Sequence, residues 1–249
     1  MKPRFPTNSV VVIPALNEAL CVGETVQTWL SFGAGRVRVV DNGSSDDTAT
    51  VAAQAGAEVI SEPGRGYGAA AWAALQNWPT GMEWVLFSSA DGSDRLTLAE
   101  AVEWQKALDS SADLVIGDRT SLAESRQCLK LVQRFGNWII CQGVWLGWAE
   151  RFKDMGSLRL VRQRSLVGLG INDRGFGWNV EMQVRAIEQG WQIVELPVRY
   201  YRRTAGESKI SGNVAGTVRA GLAIARTLGM LWKFRRRKGQ AASSPMPAA

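Results

Sequence analysis

Apolar, β-branched runs that break off into short polar clusters recur through the first half of the chain. Residues 9–13 (Ser-Val-Val-Val-Ile), 84–87 and 113–119 have this form, and shorter strand candidates lie at 37–40 and 58–60. Continuous rather than alternating apolar positions predict strands buried on both faces, as in a parallel sheet. Between them the period changes to that of helices. One helical pattern runs to about Phe32 and stops at Gly33 and Gly35, where glycine suits a helix C-terminus. Others follow residues 47, 66 and 97. Strand–helix alternation of this kind predicts an α/β fold, a doubly wound and mostly parallel sheet in a single domain.

The second half is less regular. Residues 130–148 read as a helix carrying Trp138, Trp145 and Trp148, residues 155–161 as a strand, 175–190 as a helix and 192–198 as a further strand. A polar loop, 202–209, precedes a last helix from about 214 to 234. That helix interleaves Arg219, Arg226 and Lys233 with Val218, Leu222, Ile224, Leu228, Leu231, Trp232 and Phe234, and a basic cluster follows at 235–238. A basic amphipathic helix with Trp and Phe reads as a membrane-surface element. It reads equally as a helix docked on its own sheet or on a second copy of the chain. The predicted organisation is a domain over residues 8–212, a basic amphipathic helix over 213–238 and a disordered tail over 239–249.

Composition narrows the chemistry. The 249 residues are 46% hydrophobic and 21% charged, with a net charge of +6, which favours anionic partners. Basic residues beside aromatics bring no base-reading motif with them, so nucleic acid is not the expected partner. The chain has no histidine, which removes the commonest general base and the commonest transition-metal ligand. Cys21, Cys128 and Cys141 have no C-x-x-C spacing and read as small core residues in a reducing compartment. The opening Met1–Pro6 segment lacks the apolar core of a signal peptide, and no apolar run is long enough to span a bilayer. A cytoplasmic location is expected.

The chemistry should sit where the strands end. In an open α/β sheet the carboxyl ends of strands line the ligand crevice. Pro14-Ala15-Leu16-Asn17-Glu18 follows the first strand, Asp41-Asn42-Gly43-Ser44 the second and Ser89-Ala90-Asp91-Gly92 the fourth. Each alone reads as a turn; the three together mark a site. Gly64-x-Gly66-x-x-Ala69 fits the dinucleotide fingerprint between a strand and a helix. That fingerprint normally follows the first strand of its fold, whereas two strand–helix units precede it here, so NAD or FAD binding is disfavoured.

P-x-x-N-E, V-V-D-x-G-S and x-A-D-G, in that order, resemble the motifs of family 2 glycosyltransferases of the GT-A fold. Later segments sharpen the resemblance toward the polyprenyl-phosphate sugar transferases. These are residues 115–119, Asp154 with Gly156 and Arg159, residues 175–178 with Glu181, and Arg203-x-x-Gly206-Glu207-Ser208-Lys209. The resemblance covers about residues 8–212. It implies an inverting transfer of sugar from a UDP- or GDP-sugar to a polyprenyl phosphate, at the cytoplasmic face of a membrane, assisted by Mg²⁺ or Mn²⁺.

It also assigns roles. Pro14, Ala15, Asn17 and Glu18 would frame the nucleoside, Asp41 would accept hydrogen bonds from the base, and Gly43, Ser44, Gly66, Ser89 and Ala90 would complete the donor site. Asp91 matches the second acid of the family's Asp-x-Asp pair and would meet the metal. The first acid is replaced by Ser89, which removes one carboxylate. Arg119, Arg203 and Lys209 would neutralise phosphate oxygens. Asp154 and Glu181 are the candidate general bases for a hydroxyl acceptor, whereas a polyprenyl phosphate, already ionised, needs none. Two alternatives stand beside this reading: a family 2 enzyme with a hydroxyl acceptor, and a non-catalytic nucleotide-sugar-binding protein.

Overall fold

The structure, a computed structural model, describes residues 6–205 and 214–243. The chain runs β1 (Ser9–Ala15), α1 (Val22–Phe32), β2 (Arg36–Asp41), α2 (Thr48–Gln54), β3 (Glu58–Ser61), α3 (Tyr67–Ala73) and β4 (Trp84–Phe87). It continues through α4 (Leu98–Asp109), β5 (Leu114–Asp118), α5 (Ala123–Cys128), α6 (Leu131–Trp148), β6 (Arg159–Arg162), α7 (Gln163–Gly168), α8 (Trp178–Glu188), β7 (Ile193–Pro197) and α9 (Val214–Ser243).

The strands form one sheet in the order β3-β2-β1-β4-β6-β5-β7. β6 alone is antiparallel to its neighbours, β4 and β5. Strand β1 shows why the sheet is buried on both sides. Val11 and Ile13 pack with Val26 and Trp29 of α1 and Trp104 of α4 in one core. Val10 and Val12 face the other way, into a core with Ala70 and Ala71 of α3 and Trp178 and Met182 of α8. Alternate side chains of one strand thus enter opposite layers. Helix α4 begins at the capping box of Thr97 and Glu100, which satisfies two of its first-turn N–H groups.

Three expectations shift. α1 begins at Val22, because residues 17–20 form a loop stitched to the β2–α2 connection. The strand expected at 155–161 is Arg159–Arg162, and its direction was not legible. α9 runs to Ser243, past the expected end near Phe234 and into the segment read as tail. It packs on α6 and α8 through Ile224, Leu228, Leu231 and Trp232, around Val144, Trp148, Val180 and Val184. Gly147 of α6 is required for this, since a Cβ there would lie 1.9 Å from Trp232 Nε1. Among the described residues no helix is long and apolar enough to cross a membrane.

Candidate active site

Adjacent parallel strands β2, β1 and β4 bring their carboxyl ends together. Connections leave β1 toward β2 on one side, and β4 adds on the other, so a crevice opens at this edge. The β1 and β2 ends are tied to each other. The Asn17 N–H donates to Ser44 Oγ (2.9 Å), and Asn17 Oδ1 accepts the Ser45 N–H (2.7 Å). The Glu18 N–H donates to Thr48 Oγ1 (2.8 Å). Asp41 Oδ1 accepts the Ser44 N–H at 3.3 Å, across a turn in which Gly43 takes φ 79°. Pro14, Ala15, Asn17, Glu18, Asp41, Gly43 and Ser44 therefore form one wall. Ala15 and Ala90 are almost fully buried, so their smallness, not their side chains, serves that wall.

Gly66 stands differently. Its N–H donates to Asn42 Oδ1 (2.9 Å), and the N–H groups of Gly68 and Ala69 donate to the carbonyls of Gly175 (3.0 Å) and Arg174 (2.8 Å). A Cβ on Gly66 would lie 2.2 Å from the Arg174 carbonyl oxygen. The glycines let α3 approach the 173–175 segment, and the amides that would cradle a diphosphate already have partners. The resemblance to a dinucleotide loop is a packing requirement.

The β4 end carries the carboxylates. Asp91 Oδ1 accepts the Ser93 N–H (3.1 Å) and hydroxyl (2.5 Å); Oδ2 has no partner among the described residues. Behind it stands Asp94, 3% exposed, which reasoning from sequence missed because Asp91-Gly92-Ser93-Asp94 reads as a turn. Asp94 Oδ2 accepts the Ser89 N–H and the Ser157 hydroxyl, both at 2.8 Å. Burial raises the Asp94 carboxyl above its ordinary range and the charge of Asp91 adds to this, while the Ser157 bond and Arg119 oppose it.

The segment before residue 206 crosses over this end. Asp94 and Tyr200 form an antiparallel bridge, and the N–H groups of Tyr201 and Thr204 donate to the carbonyls of Ser93 (3.1 Å) and Asp91 (3.2 Å). Arg203 then reaches the β1 end, its Nη2 pairing with Glu18 Oε2 and its Nε donating to the Ala205 carbonyl at 2.8 Å. Burial alone would weaken the Arg203 charge, but the hydrogen bond and charge of Glu18 raise its pKa above the ordinary value. Lys209, expected beside it, lies outside the described residues.

Arg119 leaves β5 and meets Asp154 in a fork: Nε to Oδ2 at 2.7 Å, Nη2 to Oδ1 at 2.8 Å, with the Arg119 N–H also on Oδ2 at 3.0 Å. Asp154 is fully buried. Burial opposes the Arg119 charge, yet Asp154 more than offsets it, and the guanidinium stays charged. Gly156 sits tightly here, since a Cβ would lie 3.1 Å from both Arg119 Nε and the Gly117 carbonyl oxygen. The Asp154 loop is held from α6, where Asn137 accepts the Met155 N–H (2.8 Å) and donates to the Lys153 carbonyl (3.0 Å).

Glu181 is placed elsewhere and is fully engaged. Its oxygens accept the N–H groups of Asn172 (3.2 Å) and Asp173 (2.7 Å) and the Arg185 Nε–H (2.7 Å). It braces the loop before α8. The structure thus gathers Glu18, Asp41, Ser89, Asp91 and Arg203 at one edge, with Arg119–Asp154 behind, and assigns Gly66 and Glu181 to scaffolding.

The donor set fits a divalent cation of one kind only. Among the described residues no three His, Cys, Asp or Glu side chains cluster as a metal site. The unpartnered Asp91 Oδ2 suits a cation that arrives on a diphosphate, with one carboxylate from the protein and phosphate oxygens from the ligand.

Residues 10–139 match the family described as "Glycosyl transferase family 2". An uncharacterised glycosyltransferase of Mycobacterium tuberculosis is 38% identical over 216 residues, covering 84% of this chain and 92% of that protein. The dolichyl-phosphate hexose transferase of Haloferax volcanii is 26% identical over 208 residues, 83% of this chain and 88% of that one. Among solved structures, glucosyl-3-phosphoglycerate synthase from Mycobacterium tuberculosis, in complex with Mn²⁺, UDP-glucose and phosphoglyceric acid, superposes with a TM-score of 0.68. It is 19% identical, with 90% of this chain and 79% of that chain covered, and so speaks for the GT-A fold. With the paired strand ends and this match across its first half, the chain belongs to family 2 of the glycosyltransferases, as a hexosyltransferase of the GT-A fold.

Proposed function

We propose that the chain moves a hexose from a nucleotide-diphosphate sugar to a polyprenyl phosphate at the cytoplasmic face of a membrane. The observation that carries this reading is the state of the candidate bases. Asp154 is paired in a fork with Arg119 and Glu181 is enclosed by two amides and Arg185. A hydroxyl acceptor needs a base to take its proton. A phosphate monoester, with a second pKa near ~6, is already an anion and needs none. Its oxygen attacks the anomeric carbon, the bond from that carbon to the diphosphate oxygen breaks, and the nucleoside diphosphate leaves.

A divalent cation on the diphosphate, Mg²⁺ or Mn²⁺, would supply Lewis-acid charge for the leaving group, held on the protein side by Asp91. The known ligands of the structural neighbour, Mn²⁺ and UDP-glucose, support that choice. Asp41 and the β1 wall receive the nucleoside, and Arg203 faces the phosphates from the crossing segment. Replacing Arg203 by alanine should raise the barrier to transfer by about 2–4 kcal/mol, as for a lost electrostatic stabiliser, with any donor that the enzyme accepts. Initial rates of the variant check this; an unchanged rate would reduce Arg203 to a strut for Glu18.

The acceptor's lipid chain has a surface to lie against. α6 exposes Leu131 (77%), Phe135 (62%), Trp138 (56%) and Leu146 (68%), and α9 beside it exposes Leu222 (67%) and Phe234 (55%). Trp148 faces inward, donating to Glu188 at 3.0 Å, so one of the three tryptophans of α6 serves the core. Neither helix contains Asp or Glu, and α9 carries Arg219, Arg226, Lys233, Arg235 and Arg236. An apolar face without negative charge suits an anionic lipid surface, each basic side chain adding about 1 kcal/mol.

Sedimentation with anionic liposomes should show binding that weakens between low and high salt and is lost in a Phe135→Asp, Trp138→Asp double variant. Labelled sugar should pass to a short polyprenyl phosphate. If the chain ignores liposomes and labels only hydroxyl acceptors, the hydroxyl-acceptor enzyme is the correct reading.

A further inference from the structure

Ser89 stands at the position of the first acid of the family's Asp-x-Asp pair, and the hydrogen bonds around it fix which way its proton points. Asp94 Oδ2 accepts the Ser89 backbone N–H at 2.8 Å, so that oxygen is an acceptor. The Ser157 hydroxyl is also 2.8 Å from Asp94 Oδ2 and must donate to it. A serine hydroxyl has one proton, and that of Ser157 is thereby used. The contact between Ser89 Oγ and Ser157 Oγ, 2.9 Å long, leaves either atom free to donate on geometry alone. With the Ser157 proton on Asp94, only Ser89 can donate.

We infer that Asp94 and Ser157 lock the Ser89 hydroxyl with its proton turned inward, so that Ser89 Oγ faces the crevice as a pure hydrogen-bond acceptor and recognises an O–H donor of the bound nucleotide complex. Two residues along the chain, Asp91 Oδ2 has no partner among the described residues. The pair Ser89 and Asp91 then offers two acceptor oxygens but one negative charge. This reproduces the hydrogen-bonding face of a carboxylate pair without its second charge. Asp94 and Ser157 are positioning residues in this scheme, and neither touches the ligand.

The inference rests on the nucleotide-sugar reading of the site. The O–H donor has two sources of one chemistry, a ribose hydroxyl or a water on the diphosphate-bound cation. The relay also accounts for a carboxylate that the site otherwise leaves unexplained. Asp94 is 3% exposed, and the two hydrogen bonds on its Oδ2 are those of the relay.

The test is calorimetric binding of UDP and GDP, with and without Mn²⁺, to wild type, Ser89→Ala, Ser157→Ala and the double variant, each checked for an unchanged melting temperature. Ser89→Ala and Ser157→Ala should each weaken the nucleotide by roughly 5- to 30-fold, as for a lost hydrogen bond of about 1–2 kcal/mol. The double variant should be no worse than either, because the two act as one unit. Ser157→Thr, which keeps the hydroxyl, should restore wild-type affinity.

A loss that persists without Mn²⁺ and vanishes with the 2′,3′-dideoxynucleotide assigns the ribose. A loss seen only with Mn²⁺ assigns the metal-bound water. Additive losses, or a Ser157→Ala protein that binds like wild type, overturn the relay while the donor reading stands. Wild-type protein that binds neither nucleotide under any condition overturns both.

Discussion

Asp91→Asn should lower the rate of sugar transfer by about 100- to 1,000-fold, the scale of a lost electrostatic stabiliser, and leave the melting temperature where it was. The two expectations follow from the two oxygens of one side chain. Oδ1 accepts the N–H and hydroxyl of Ser93, and the amide oxygen of asparagine can keep both bonds. Oδ2, unpartnered among the described residues, becomes an NH₂ group that repels a cation. The substitution therefore removes chemistry without removing structure. Initial rates with and without EDTA, beside a thermal melt, decide it: transfer that survives both EDTA and the substitution would end the case for a metal at this position.

The second large effect concerns stability. Asp154→Ala should destabilise the protein by about 3–5 kcal/mol, because it leaves the Arg119 guanidinium buried without a counter-charge. Arg119 is 15% exposed at its side chain and Asp154 is not exposed at all, so water cannot take over the carboxylate's role. For a chain of this size each kcal/mol moves Tm by about 2–4 °C, giving a drop of about 6–20 °C. A companion variant, Arg119→Met with Asp154→Leu, should recover much of that loss, since apolar residues can replace both charges at once. Wild-type melting of Asp154→Ala would show that the pair contributes no anchorage to the site.

The parts of the fold that sequence disclosed were those governed by short-range pattern. β1 and β4 are continuous apolar runs, and the parallel, doubly covered sheet follows from that continuity; β2 interrupts its run with Arg38, which is buried and paired with Glu58. The direction of β6 had no such signature. Leu160 and Val161 are buried on opposite faces as in any central strand, and only pairing with Phe87 and Ile116 sets it antiparallel.

The site divides in the same manner. Asp41 and Asp91 were legible because polar residues follow buried strands and Arg203 because of the family motif, and the structure brings all three to one edge of the sheet. Asp94, Ser157 and Asn137 were not legible, since their roles depend on partners 63, 68 and 18 positions away. Gly66 and Glu181 carry the right residue type in the right motif, yet their atoms are engaged by neighbouring backbone, which no spacing rule reveals.

The bond between Glu18 and Arg203 joins positions 185 apart, and the contact of Cys21 with Ala205 spans 184. Both close the wall of the candidate nucleoside site with a segment made long after the first strand. At about 5–20 residues per second, the first strand's exit loop waits about 10–40 s on the ribosome before its partner emerges. For the later part of that interval the nascent chain carries both Asp41 and Asp91 on an unfinished crevice. Closure of this wall therefore waits on two contacts of very long sequence separation rather than on the strands that carry it.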